Sequence, residues 1–382
     1  MFKRQIANLL LTEAKKFRAF ALVGPRQSGK TTLLRELFPD YKYISLESPD
    51  TLELVTEDVR GFFANPTQNW IIDEAQNSGK LFSYLQEFID DPKRTNKFIL
   101  SGSQNFLLQK NISQSLAGRI GLYELLPLTY KEFKSDKKIS AISLWDYLFQ
   151  GQYPRPYHEN LPTRKWFESY LKTYVERDVR LIENIKDLTK FRLFIKLCAG
   201  YHGQQLNVLQ ISVDTGVSQT TIHNWISILE ASFLIFRLQP YYKNYNKRLV
   251  KTPKLYFYDS AIVCHLLGID SAEHLQTHSA KGAIFEGFVI SEFIKTLNNR
   301  GENRNFYYWK MYGGGEIDLL IDSHPLKIIE IKSGATFQKT FVEKLMDFQQ
   351  LSDDDAEGFL IYAGDEAFSF KNIQITPWTD IA

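Results

Sequence analysis

The sequence predicts an α/β protein in three parts: an N-terminal unit with a parallel sheet, a helical middle unit, and a C-terminal unit of mixed strands and helices. Three observations carry that expectation. Short apolar runs, Ala19-Phe20-Ala21-Leu22-Val23, Trp70-Ile71-Ile72 and Lys97-Phe98-Ile99-Leu100, each end in a polar or glycine-rich turn and alternate with amphipathic stretches. That is the pattern of buried parallel strands joined by crossover helices. Pro154 and Pro156 flank Arg155, with Pro162 soon after, and prolines so placed read as a linker or bend. From Trp166 to about Leu238 the pattern is helical, and from about Lys254 strands and helices alternate again. The boundaries that follow are 1–151, 152–253 and 254–382.

Composition narrows the classes. The chain has 382 residues, 44% hydrophobic and 24% charged, enough to bury the cores of two or three domains. Formal net charge is +2, so a nucleic-acid surface needs local clusters of Lys and Arg. Aromatic residues make up 14%, which argues against disorder. Cys198 and Cys264 form neither a disulfide framework nor a zinc pattern. They read as small buried apolar residues, in keeping with a reducing cytoplasm. Met1–Arg18 is mixed and charged, unlike a signal peptide. No stretch approaches about eighteen uncharged apolar residues, so no membrane partner is expected.

The N-terminal unit carries the most specific pattern. Gly24-Pro25-Arg26-Gln27-Ser28-Gly29-Lys30-Thr31 fits G-x-x-x-x-G-K-[ST], directly after a strand and opening a helical stretch that begins at Thr32. Glycines let backbone N–H groups wrap phosphates, and the helix N-terminus adds partial positive charge. Lys30 is expected on the β- and γ-phosphates of ATP, and the Thr31 hydroxyl on Mg²⁺. Trp70-Ile71-Ile72-Asp73-Glu74 is a strand ending in two carboxylates. Asp73 is placed to hold Mg²⁺ and Glu74 to act as general base toward water. Arg119, in Leu116-Ala117-Gly118-Arg119, is a candidate arginine finger, a group often supplied by a neighbouring subunit. That role implies a homo-oligomer.

Gly24–Thr31, Trp70–Glu74, Ser101–Gln104, Leu116–Arg119 and Leu126-Pro127-Leu128 together resemble a family of bacterial and archaeal AAA-like ATPases with a C-terminal domain of undefined function. The likeness continues through Lys251–Asp259 and Gly282–Glu286, so it spans nearly the whole chain. It implies an AAA-like P-loop ATPase domain at 1–151. It also implies a γ-phosphate contact at Ser103 or Gln104.

In the middle unit, Leu209–Ile226 reads as helix–turn–helix. Gly216 sits at the turn, and Ser218 caps a second helix with Ile222, Trp225, Ile226 and Leu229 inward. Gln219, Thr220, His223 and Asn224 are left outside, where such side chains can meet base edges or phosphates. Tyr241–Lys254 has Lys243, Lys247, Arg248, Lys251 and Lys254 and no acid, interleaved with Tyr241, Tyr242 and Tyr245. It looks like the wing of a winged helix. His202, His223 and His265 show no metal spacing.

In the C-terminal unit, Glu316–Ile321 is an apolar strand pattern interrupted by Asp318, followed by Lys327-Ile328-Ile329-Glu330-Ile331-Lys332. Period-two alternation puts Glu330 and Lys332 on one face, where an acid and a lysine must be satisfied. This resembles the core of PD-(D/E)xK nucleases, a restriction-endonuclease-like α/β fold, with Glu286 as fourth member on a helix over Ala283–Leu297 and Gly287 giving it room. Ile317 stands where well-known nucleases have proline. The resemblance implies a metal at Asp318 and Glu330, with Lys332 steadying nucleophile or charge.

The expected function is ATP hydrolysis coupled to action on nucleic acid, DNA more than RNA, with a nuclease-like C-terminal site. The alternative is a nucleotide-dependent switch that binds a protein or nucleic acid without cutting. A small-molecule kinase shares the phosphate loop but fits Asp73-Glu74 and the two further units poorly.

Overall fold

The computed structural model describes residues 2–102, 108, 112, 114–136, 142–174, 187–241, 252–302, 305–311, 314–352 and 355–381. Near the N-terminus, helix α1 (Ala7–Lys16) leads into strand β1 (Ala19–Val23), the phosphate loop and α2 (Lys30–Leu37). Strands β2 (Lys42–Ser45), β3 (Trp70–Asp73), β4 (Phe98–Gly102) and β5 (Ile120–Glu124) complete a parallel sheet in the order β2-β3-β4-β1-β5. Alternation along β1 splits the core. Phe20 and Leu22 pack with Leu10, Leu33 and Leu34 of α1 and α2. Ala19, Ala21 and Val23 face the opposite layer. That layer holds α3 (Pro49–Glu57), α4 (Val59–Phe62) and α5 (Gly79–Asp90). Helix α5 buries Leu81, Phe82, Leu85 and Phe88, the three-and-four spacing of an amphipathic helix.

After β5 come α6 (Tyr130–Lys134), α7 (Leu144–Gln150) and α8 (Pro154–His158). The last corrects the linker expected at Pro154–Pro156. Both prolines fall in the first turn of α8, where backbone N–H groups have no intrahelical acceptor, so missing donors cost nothing. Then follow α9 (Thr163–Tyr174), α10 (Leu188–Gly200), β6 (Gln204–Gln205), α11 (Val208–Thr215), α12 (Gln219–Ala231), β7 (Ile235–Pro240) and β8 (Lys254–Phe257). Gly216 is left-handed, φ 63°, between α11 and α12, and Ser218 accepts from Thr221 N to cap α12. Ile222, Trp225, Ile226 and Leu229 are buried, while Gln219, Thr220, His223 and Asn224 are exposed. The helical pattern expected through Leu238 stops sooner. Helix α12 ends at Ala231, Phe233 is left-handed, and Ile235–Pro240 is a strand.

Next come α13 (Ser260–Leu267), α14 (Ala272–Thr277) and the long α15 (Lys281–Arg300). They are followed by β9 (Phe306–Lys310), β10 (Glu316–Ile321), β11 (Leu326–Lys332), α16 (Glu343–Leu351), β12 (Ala356–Tyr362), β13 (Phe368–Phe370) and β14 (Ile373–Pro377). The second sheet runs β13-β14-β12-β11-β10-β9-β7-β8-β6. It joins middle and C-terminal parts through parallel pairs Gln239↔Tyr307 and Pro240↔Tyr308. A boundary between residues 253 and 254 therefore falls inside a sheet, because β8 pairs with both β6 and β7. Sequence alternation cannot announce such a junction, since β7 reads the same whichever strand it pairs with.

Helix α15 ties both sheets together. Near its end, Glu292 accepts from Tyr130 N at 2.7 Å, and Lys295 donates to Leu128 O at 3.2 Å. Asn298 donates to Glu124 Oε2 at 3.0 Å. Among the described residues no helix is long and apolar enough to cross a membrane.

Candidate functional site

The phosphate loop leaves β1 as a tight curl. Gly24, Gln27 and Gly29 have φ of 152°, 64° and 95°, and left-handed residues turn successive N–H groups toward one concavity. A Cβ on Gly24 would lie 2.2 Å from Leu125 O, so glycine alone lets the loop pass the strand-β5 exit. Helix α2 starts behind it at Lys30. Lys30 is buried, and its Nζ donates to Gly24 O and Pro25 O, both at 2.9 Å. Ser28 is fully buried, and among the described residues its Oγ has no hydrogen-bond partner.

Strand β3 delivers Asp73 to the same place. Asp73 Oδ2 accepts from Thr31 Oγ1 at 2.8 Å and from Tyr43 OH at 3.0 Å. Its Oδ1 accepts from Ser101 Oγ at 2.6 Å. Burial, aided by the Asp73 charge, pushes the Tyr43 hydroxyl up to about 12, so it stays a donor. The paired Thr31 hydroxyl and Asp73 carboxylate are hard oxygen donors, the set that Mg²⁺ takes. Glu74 follows in a left-handed conformation, φ 51°, and its Oε2 accepts from Gln76 Nε2 at 2.5 Å.

Gly24–Thr31 and Asp73–Glu74 are thus brought together as expected, with Thr32 on the wall of an adjoining cleft of about 300 Å³. Ser103 and Gln104 lie outside the described residues. Ser101, Tyr43 and Gln76 were not foreseen. Ser101 stands at the end of β4, and that position was its only signal. Tyr43 reaches Asp73 through the pairing Ser45↔Asp73, which a local pattern does not disclose. Arg4 was also missed: Nη1 donates to Ser28 O at 2.8 Å and Nη2 to Leu126 O at 2.6 Å. Phe2, Leu33, Leu128, Pro154 and His158 share the cleft wall. From α8, Arg155 Nη1 donates to Gln27 Oε1 at 3.1 Å.

Arg119 stands elsewhere. Its Nε contacts the Asp90 carboxylate at 2.9 Å. The register Ala19↔Ile120 puts Arg119 beside the start of β1, while the loop leaves its end. A strand rises about 3.3 Å per residue, so the length of β1 holds them roughly 16 Å apart. Arg119 therefore does not serve the loop of its own chain.

The C-terminal acids meet where β8, β10, β11 and α15 adjoin. Asp318 Oδ2 accepts from Ile331 N at 2.8 Å, and Lys332 Nζ lies 3.9 Å from it. Lys332 also contacts Glu330 Oε1. Glu330 is fully buried, and among the described residues its Oε2 has no hydrogen-bond partner. Burial, with the charge of Asp318, pushes the Glu330 carboxyl up to about 7, against Lys332. Burial opposes the charge on Lys332, yet Asp318 and Glu330 outweigh it and hold its pKa raised. Burial raises Glu286, with Asp318 adding to the effect and Lys254 opposing it. Glu286, Asp318, Glu330 and Lys332 thus share one neighbourhood. Among the described residues, no group of three or more His, Cys, Asp or Glu could hold a metal ion. Gly287 makes room for a different neighbour than expected: a Cβ there would lie 2.3 Å from His202 Nε2.

Three family models match. Residues 16–134 match an AAA domain. Residues 141–273 and 281–381 match two domains of unknown function, DUF8612 and DUF4143. An uncharacterized protein of Mycobacterium tuberculosis is 30% identical over 361 residues, 92% of this chain and 78% of that protein. One of Methanocaldococcus jannaschii is 25% identical over 343 residues, 81% of this chain and 73% of its own. Among solved structures, a Walker-type ATPase of Pyrococcus abyssi aligns with a TM-score of 0.49 and 15% identity, covering 70% of this chain and 96% of that one. Match length and identity together place this chain in the family of the mycobacterial protein, with an AAA-like ATPase domain as its N-terminal part.

Proposed function

We propose that the protein hydrolyses ATP and uses it to act on nucleic acid through its C-terminal carboxylate site. The observation that carries the first half is the Thr31–Asp73 contact beside Lys30. Bound with the triphosphate, Mg²⁺ supplies charge neutralisation, and Thr31 and Asp73 would hold it. Lys30 exchanges the Gly24 and Pro25 carbonyls for phosphate oxygens. Glu74 takes the proton of the attacking water, and Gln76 holds that carboxylate until then. The cleft by Phe2, Leu33 and His158 has room for the nucleoside. Its Arg155 wall links nucleotide occupancy to α8. Arg119 acts only across a subunit boundary, once it leaves Asp90.

The second half is supported by the element order α15-β9-β10-β11-α16-β12 with Glu286, Asp318, Glu330 and Lys332 adjoining. The wing residues Lys243, Lys247, Arg248 and Lys251 lie outside the described residues. The test is a metal-dependent cleavage assay on single-stranded, duplex and branched DNA. Wild type is expected to cut at least one, and Asp318→Ala and Lys332→Ala to abolish cutting. Cleavage surviving both changes, or none by wild type, removes the nuclease. A second reading, a nucleotide-dependent switch that binds without cutting, is favoured by the lysines that already neutralise these acids.

A further inference from the structure

The C-terminal cluster has two unequal halves. One half is Asp318 and Glu330. Their lysines are Lys332 and Lys344, the latter 3.5 Å from Glu330. The other half is Glu286 and Glu316. Lys254 Nζ lies 3.0 Å from Glu286 Oε1 and 2.5 Å from Glu316 Oε1. Tyr256 OH donates to the same Glu286 oxygen at 2.5 Å, and Lys310 lies 2.5 Å from Glu316 Oε2.

These lysines differ in freedom. Side-chain exposure is 29% for Lys332, 36% for Lys310 and 47% for Lys344. Each can swing its ammonium into water. Lys254 is 4% exposed, with its ammonium over the Tyr308 ring. Glu286, Glu316 and the Tyr308 ring enclose that ammonium. Burial opposes its charge, but Glu286, Asp318 and Glu316 outweigh that and hold the pKa well above the ordinary value. Lys254 and Tyr256 lie in the segment 141–273, whereas the acids lie in 281–381. The middle part thus completes the C-terminal site.

We propose that Lys254 is a built-in counter-cation that occupies the Glu286–Glu316 half and excludes divalent cations from it. Physically, the half-buried Glu286–Glu316 pair and the buried ammonium compensate each other's charge. A lysine enclosed to this degree holds its place against an incoming ion. Lys254 is then a positioning residue that sets ion number. The proposal builds on the C-terminal site as read above, where metal-dependent cleavage was expected, but its outcome is separable.

The experiment titrates Mn²⁺ into the full chain without nucleotide, by calorimetry. Lys254→Met is expected to bind one more Mn²⁺ per chain than wild type, and Lys254→Arg the same number as wild type. An unchanged count in Lys254→Met overturns the proposal. A gained ion without any cleavage by wild type keeps the lock and removes the nuclease. If Lys254→Met does not fold, Glu286→Gln/Glu316→Gln tests the other side. Ion count should match wild type, and the stranded ammonium should lower the melting temperature by roughly 10 °C. Loss of a Mn²⁺ site, or an unmoved melting temperature, overturns it.

Discussion

Lys30 and Glu74 are held in place by groups that substrate can displace: two backbone carbonyls for the lysine and the Gln76 amide for the glutamate. Removing either side chain should leave the fold intact. Lys30→Ala should abolish detectable binding of labelled ATP. Glu74→Gln should bind ATP normally yet lower turnover by about 10²–10⁴-fold, the usual worth of a general base; phosphate release measures turnover. His202 is different, a residue of stability. Burial lowers its pKa from 6.5 to about 3, and its Nδ1 accepts from Phe257 N. A depressed pKa stabilises the fold above 6.5, and that stability is lost as pH falls from there toward 3. The loss is about 1.4 kcal/mol per pH unit. His202→Asn keeps an acceptor without the titration. Urea unfolding at pH 7, 6, 5 and 4 should show a flatter decline for the variant. Singly read, His202 had no legible role, because burial by α15 through Gly287 is a long-range fact.

Elements were legible where a local rule dominates. The strand–loop–helix at Ala19–Leu37 and the capped turn at Gly216–Ser218 follow from periodicity, glycine and capping, and the structure has them where expected. Helix α8 was illegible because proline's effect depends on its place in the first turn. Strand β7 was illegible because its identity comes from pairing with β8 and β9. The loop gives the element-scale prediction. Gly24→Ala places a methyl against Leu125 O at a backbone angle that L residues rarely adopt. Strain of about 1–3 kcal/mol follows. A lower melting temperature, with ATP affinity reduced at least tenfold, is expected from a thermal and a binding titration.

At the scale of the whole molecule, the candidate site residues of the two ends were legible as motifs, but not the bridge between them. Arg4 touches Ser28 and Leu126, and its Nε lies 3.2 Å from Glu132. Glu132 Oε1 also accepts weakly from Asn299 of α15 at 3.4 Å. The same helix carries Glu286 toward its other end. At the α-helical rise its length is about 30 Å. ATP with Mg²⁺ should therefore slow hydrogen exchange along α15 as well as around Gly24–Thr31. Protection confined to the loop would break the link between the two sites. The Glu292–Tyr130 bond has a consequence in time, because its partners stand far apart in the chain. At ordinary rates of synthesis the stretch between them takes on the order of ten seconds or more to be made. A nascent ATPase sheet therefore waits, its α6 entrance unfastened, for a helix translated much later. A pause or truncation before Glu292 would strand that half-built domain for chaperones and proteases to find.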